Sequence, residues 1–455
     1  MILSILLGIV GLGLVVLVHE FGHFVAARAA GVEVETFSIG WGPRLVGWKG
    51  KNTDFCISIF PLGGYCRMKG EAAFAEAIQN KSETIPREPG TFYGAPAWKR
   101  ILISFAGPAF NVLFAAVVFI AVAGVGYTSK SYGNKIVLAS EYSLDGSTIP
   151  ATMPANQAGL QTGDEIIAAD GKKIGDYSDL QEAISLAADR PLKLGVLRGG
   201  QTLDLTVRPK MDKDTGAGKI GIYSWIDPVV QEVAPASAAA RAGLAVGDRI
   251  VAVDGKSVSH GIQALSYLKD RPERARFTVL RNGQSLDLPI VLSWGKDGSD
   301  LGIGFSTISH TVKSPNFGAA IGDGLAETGK TISVSIQSLG LLFRGVNVLK
   351  AVSGPAHITY LIGETATSSI VESGASGLTV VFNFLALLSI ALFIMNLLPI
   401  PALDGGMILL YIIELLKQSP LRTKTVYRFQ VVGMAFIFGL FALAAMSDIL
   451  FFSGK

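Results

Sequence analysis

His19-Glu20-Phe21-Gly22-His23 is an HExxH motif, a residue pattern that can bind a metal. On a helix its two histidines lie about one turn apart, so both imidazoles leave the same face. That spacing suits a single Zn²⁺, with Glu20 placed between them to act on water beside the metal. So short a motif also arises by chance, and its setting says more. Met1–Val18 carries no charged side chain, and Phe24–Ala27 is apolar as well. The stretch exceeds the roughly 20 apolar residues needed to cross a bilayer. Two histidines and a glutamate inside such a segment are costly to hold there and are usually functional.

A second polar constellation sits in another apolar stretch. Asn396-Leu397-Leu398-Pro399-Ile400-Pro401-Ala402-Leu403-Asp404-Gly405-Gly406 follows the hydrophobic run from Gly377. Two prolines two residues apart end regular helix and force extended backbone. Asp404 follows them, flanked by apolar residues on its N-terminal side and by two glycines on the other. Asn111, in a further apolar run behind Ala106-Gly107-Pro108, is an amide at membrane depth that needs a partner. His357 stands alone, and we read it as structural.

The elements that must position these groups follow from hydropathy and charge. The chain has 455 residues, 49% of them hydrophobic, and a mean hydropathy of +0.45. That balance fits apolar spans mixed with soluble domains. A net charge of +3 says little about a nucleic-acid partner, no basic run stands out, and no such partner is expected. Cys56 and Cys66 are too few for a disulfide framework, and we read both as free thiols. The first apolar run lacks the positive n-region of a signal peptide, since its first basic residue is Arg28. Nine Lys and Arg lie between Gly31 and Arg100, and Lys417, Arg422, Lys424 and Arg428 cluster further on. The positive-inside rule then makes both stretches cytoplasmic and puts both termini outside. Between the basic residues, Asp54–Lys69 reads as a β-hairpin turning at Pro61-Leu62-Gly63-Gly64. It is apolar enough to dip into the membrane.

Tyr127–Phe305 is charged, glycine-rich and internally repeated. Ala158-Gly159-Leu160-Gln161-Thr162-Gly163-Asp164 returns as Ala242-Gly243-Leu244-Ala245-Val246-Gly247-Asp248. Asp170-Gly171-Lys172 returns as Asp254-Gly255-Lys256, and Leu197-Arg198 as Leu280-Arg281. The pattern resembles PDZ domains of the bacterial protease type, which take extended peptides by strand addition, often at a free C-terminus. Lys219–Ile222 and Leu301–Gly304 are the candidate carboxylate loops.

The expected fold class is a multi-pass α-helical membrane protein with four transmembrane helices, a membrane-re-entrant β-hairpin and two tandem PDZ-like α+β domains. The expected division is as follows: a first span at 1–30; a cytoplasmic loop at 31–99 with the hairpin at 54–69; a second span at 100–126; PDZ-like domains at 127–221 and 222–306; juxtamembrane helices at the membrane surface within 307–376; a third span at 377–406; a cytoplasmic loop at 407–428; and a fourth span at 429–455.

HEFGH in the first span, a repeated PDZ-like domain between spans two and three, and NLLPIPALDGG at span three together resemble the site-2 intramembrane metalloproteases. Within them, the bacterial regulators of sigma-E signalling are most similar. The PLGGY turn and the AGP–Asn segment agree, and the likeness covers essentially the whole chain. The resemblance implies one Zn²⁺ held by His19, His23 and Asp404, with Glu20 as the catalytic base. It implies that Asn396, Pro399 and Pro401 line the substrate path and that the hairpin carrying Tyr65 receives the unwound substrate, with Asn111 also near it. It implies a bacterial inner-membrane protein with its PDZ pair periplasmic and its active site near the cytoplasmic side. Its partners would be the bilayer and the transmembrane segments of single-pass proteins already cut once, an anti-sigma factor among them, and remnant signal peptides. The alternative is a non-catalytic, membrane-tethered PDZ scaffold with a structural metal. Structural zinc normally has four protein ligands, and only three candidates are present.

Overall fold

The protein is described here from a computed structural model covering residues 2–142, 144, 150, 152–295, 298–342, 346–347, 353–374 and 377–453. It divides into two units, one of residues 1–127, 312–343 and 347–455, the other centred on 128–311.

The first unit opens with helix α1, Ile2–Ala30, an almost uniformly apolar rod with the HExxH motif in its last third. Strand β1, Val34–Lys49, and strand β2, Asp54–Met68, follow, joined at Gly50–Thr53 by a backbone hydrogen bond from Gly50 N–H to Thr53 O of 2.8 Å. The register corrects the expected hairpin. Phe37 pairs with both Phe55 and Cys66, and Ser38 with both Cys56 and Tyr65. The run Thr36–Ile39 therefore lies between Asp54–Ile57 and Gly64–Arg67, which do not pair with each other. Asp54–Ile57 pairs on its other side with Val46–Lys49. The sheet thus has four runs, with Gly64–Arg67 as one edge. Its fold-back is possible because Gly40 and Gly42 take positive φ (88° and 93°). A side chain on Gly40 would lie 2.6 Å from the Phe60 carbonyl oxygen. Both cysteines are free, as expected. Helix α2, Glu71–Gln79, leads to α3, Ala97–Val125, which packs along α1.

The second unit holds two copies of one domain. In the first, helices α4 (Pro154–Gln157) and α5 (Tyr177–Leu186) pack on a sheet of strands 172–173, 165–169, 192–198 and 201–207. In the second, α6 (Ala238–Arg241) and α7 (Gly261–Ser266) pack on strands 256–257, 249–253, 274–281 and 284–291 in the same order. Each copy has its own apolar core. The repeated residues are the ones that interlock. Arg198 grips Asp164 through two 2.7 Å hydrogen bonds and donates to Gly159 O. Arg281 does the same to Asp248 and Gly243 O. Asp170-Gly171 and Asp254-Gly255 all have positive φ, as a two-residue hairpin turn requires. The boundary expected at 221/222 moves. Ile222–Ser224 pairs with Ile136–Leu138 and completes the first copy, while Val230–Val233 pairs with Ile303–Phe305 in the second.

The chain returns to the first unit with α8 (Phe317–Leu342), α9 (Pro355–Ser373) and α10 (Gly377–Leu397), then α11 (Asp404–Lys417) and α12 (Thr423–Ser453). Four helices among the described residues, α1, α3, α10 and α12, are long and apolar enough to cross a membrane. Helices α8 and α9 pack along α3 and α1 respectively through small residues, which bring helix backbones close. A Cβ on Gly363 would meet the Ser4 carbonyl oxygen, and one on Gly8 the Thr359 carbonyl oxygen. The third span ends at Leu397, and most of the expected loop from 407 is helix α11, with Asp404 at its first position. His357 stacks on Phe451, with ring centres 3.7 Å apart.

Candidate active site

His19 and His23 leave α1 on one face, and Asp404 reaches them from the start of α11. The two Nε2 atoms are 3.2 Å apart, and Asp404 Oδ2 lies 3.1 Å from His19 Nε2 and 3.5 Å from His23 Nε2. Ligands of a tetrahedral zinc, each about 2.0–2.1 Å from the ion, stand about 3.3 Å from one another. The three donors therefore fit that ion. Among the described residues they form the one such His, Cys, Asp and Glu group.

The rings are held from behind. His23 Nδ1 donates to the Ile103 carbonyl at 2.8 Å, which leaves Nε2 free to ligate. His19 Nδ1 lies 3.2 Å from the Asn111 side-chain amide, and Asn111 is fully buried. Amide oxygen and nitrogen are interchangeable in shape. The facing amide atom is Nδ2; with Nε2 as the ligand, His19 Nδ1 carries the proton, and the amide has to turn its Oδ1 to accept it. Ser389 of α10 donates to the Asn111 carbonyl at 3.0 Å and ties the third span to this layer.

Two glycines make room for it. A Cβ on Gly22 would lie 2.4 Å from the Ala106 carbonyl oxygen, so α1 and α3 touch backbone to backbone here. A Cβ on Gly107 would lie 2.3 Å from His23 Nε2 and 2.9 Å from His19 Cε1. The sequence placed this glycine only in the Ala106-Gly107-Pro108 run ahead of Asn111. Its position shows that it clears the space occupied by the ligand atoms. Gly405 and Gly406 do similar service for Asp404, because the carbonyls of Leu397 and Ile400 stand where their side chains would be. The prolines act through this folded-back loop.

A cavity of about 710 Å³ opens onto the three donors. His19, Glu20, His23, Tyr65, Asn396 and Asp404 all line it. Pro399 and Pro401 do not. Pro399 is exposed, and Pro401 packs its backbone against Gly433 of α12. Glu20 is hydrogen-bonded to the backbone of Cys66 on the sheet edge. That contact brings the Gly64–Met68 run to the cavity wall. Sequence reading did not single out Cys66, Ile103, Tyr411 or Gln430, which also line the cavity. Only Cys66, beside Tyr65 in an apolar strand, carried any signal for it.

The chain matches peptidase family M50 over residues 7–440. A protein of Treponema pallidum (strain Nichols), assigned as a zinc metalloprotease, is 41% identical over 452 residues, covering 99% of each chain. The regulator of sigma-E protease RseP of Escherichia coli (strain K12) is 30% identical over 465 residues, covering 97% of each. The protease RseP of Yersinia pestis is 31% identical over 465 residues, again covering 97% of each. Matched over nearly its whole length by the family and by these relatives, the chain belongs to peptidase family M50.

Proposed function

We propose that this integral membrane protein is a zinc metalloprotease that cuts peptide bonds within the bilayer. The observation that carries this reading is the His19–His23–Asp404 cluster, with Glu20 on the wall of the same cavity and apolar helices around it. His19, His23 and Asp404 would hold the ion. Zinc bound at such a site supplies Lewis acidity toward the scissile carbonyl. Glu20 takes a proton from the attacking water and delivers it to the leaving nitrogen as the C–N bond breaks. Ile103 and Asn111 keep the imidazole tautomers fixed while this happens.

A helical substrate hides its carbonyls, and once unwound its amides need partners at membrane depth. The outer edge of Gly64–Met68 can offer them by strand addition. Because Phe55–Ile59 lies largely inside the sheet, the edge that bears on this idea is the one carrying Tyr65 and Cys66. Asn396, which also lines the cavity, is suited to hold the substrate backbone.

The substrates we propose are the spans of single-pass proteins already cut once outside the membrane, an anti-sigma factor in envelope stress signalling and remnant signal peptides among them. The proposed setting is the bacterial inner membrane, with both termini and the paired PDZ-like domains periplasmic, since the basic residues cluster at 31–100 and 417–428. The pair would then filter substrates by size or bind newly exposed C-termini. Deleting 136–305 separates the two roles. Filtering predicts cleavage of untrimmed substrate, and capture predicts loss of cleavage.

The test of the central reading is cleavage of a trimmed single-pass reporter by purified protein, alongside Glu20→Gln and a chelator. Cleavage within the span that both controls abolish supports it. A Glu20→Gln enzyme as fast as wild type would refute it. Zinc bound at one per chain with no cleavage of several reporters would favour a membrane-tethered scaffold.

A further inference from the structure

Asp404 begins a 14-residue helix that follows a proline-interrupted loop, and something must fix that helix lengthwise. Asp404, Met407, Tyr411 and Glu414 fall at intervals of three or four residues, so they share one face of α11. The facing side of α3 presents Arg100, Gly107 and Asn111 in the same way. The near ends of these two rows meet at the metal ligands. The far ends meet in an ion pair, Arg100 Nη2 to Glu414 Oε1 at 2.5 Å. Arg100 is 2% exposed and Glu414 6%. The guanidinium is held at two further points. Its Nε donates to Ala95 O at 3.1 Å, and its plane lies 4.7 Å from the Tyr411 ring centre. Arg87, half-exposed, also reaches Glu414.

Ten residues separate Glu414 from Asp404, about 15 Å of helix. A slip of α11 by one residue would carry Asp404 about 1.5 Å along and 100° around its axis. Apolar contacts such as those of Met407 and Leu410 oppose a slip weakly, because one aliphatic neighbour resembles the next. Glu414 is the one acid on α11 besides Asp404, so its pairing with a buried arginine has a single register. Buried ion pairs add little to stability compared with apolar replacements, and fixing register is their best-attested use.

We propose that Arg100 and Glu414 are positioning residues that set the register of α11 and thereby place Asp404 for zinc. This rests on the metal reading above. The experiment compares full-length wild type with Arg100→Met/Glu414→Leu, which removes both charges together, and reads zinc affinity by chelator competition and the thermal midpoint without zinc. The expected result is a midpoint within a few degrees of wild type and a zinc Kd raised about 10- to 100-fold, the range for losing support behind a metal ligand. An unchanged zinc Kd overturns the proposal. So does a midpoint that collapses together with zinc binding while Glu414→Gln, which keeps the volume, binds zinc as wild type does. If wild type itself binds no zinc, the metal reading fails instead, and the two failures are distinct.

Discussion

Replacing Gly107 by alanine adds one methyl group at the most crowded point of the site. The new carbon would stand 2.3 Å from His23 Nε2, 2.6 Å from His23 Cε1 and 2.9 Å from His19 Cε1. An ordinary contact needs about 3.5 Å, so the shortfall at Nε2 is roughly 1.2 Å. The imidazole cannot simply swing aside, because the Ile103 carbonyl holds Nδ1 at 2.8 Å. Nor can α3 back away cheaply, since Gly22 and Ala106 already pack backbone on backbone. A usable metal site tolerates about 0.2 Å in its ligand distances. A displacement several times larger should raise the zinc Kd at least 100-fold and cut cleavage by about the same factor, as a 1 Å misplacement does elsewhere. The assay is zinc content of the purified variant together with reporter cleavage. Gly124→Ala in the same helix is the control, because its added carbon would meet only Ala320 Cβ at 3.7 Å. A Gly107→Ala protein that holds one zinc with wild-type affinity and cuts at the wild-type rate would refute this account of the site.

Other outcomes follow from the same structure. Glu20→Gln should keep its zinc while cleavage falls by about 10²- to 10⁴-fold, the usual contribution of a general base; loss of zinc in step with activity would assign Glu20 a different role. Asn111→Leu should weaken zinc binding about 10- to 100-fold, whereas Asn111→Asp, which still accepts from His19, should keep most of it; equal losses in the two would remove the hydrogen-bond argument. Cys66→Pro deletes the amide that donates to the Glu20 carboxylate and should slow cleavage with zinc retained; an unchanged rate would remove that contact from the account of Glu20. His260 supplies a pH test outside the membrane. It is fully buried between Tyr142 and Trp225, its Nδ1 accepts from Gln263 N–H, and its Nε2 has no partner among the described residues. Burial, with the Lys135 ammonium nearby, lowers its pKa to about 4. The unfolded chain takes up that proton near pH 6.5 and the folded chain does not, so stability is full above 6.5 and falls as pH drops toward 4. The loss approaches about 3 kcal/mol for this one group. Unfolding followed by Trp225 fluorescence should show that slope in wild type and a shallower one in His260→Asn; equal slopes would exclude His260 as its source.

Much of this protein was legible in the chain because its physics is local. Apolar runs long enough to span a bilayer can be read by counting, and α1, α3, α10 and α12 fall where those runs predict. A one-turn spacing of histidines fixes a shared face before any tertiary contact exists. The repeat in the second unit is legible for a related reason, since Asp164 with Arg198 and Asp248 with Arg281 had to be kept together in each copy to make the same two-point grip. What the chain could not reveal depended on who lies next to whom. Thr36–Ile39 enters between Asp54–Ile57 and Gly64–Arg67, and no pattern within the second segment announces an intruder. The strand Ile222–Ser224 belongs to the copy before it only because Ile136–Leu138 waits there. Asp404 opens a new helix rather than closing a span, because the carbonyls of Leu397 and Ile400 fold back over Gly405 and Gly406. Gly107 is one glycine among 53 in the sequence. Only packing α3 against α1 shows that its missing side chain is the space in which His19 and His23 converge.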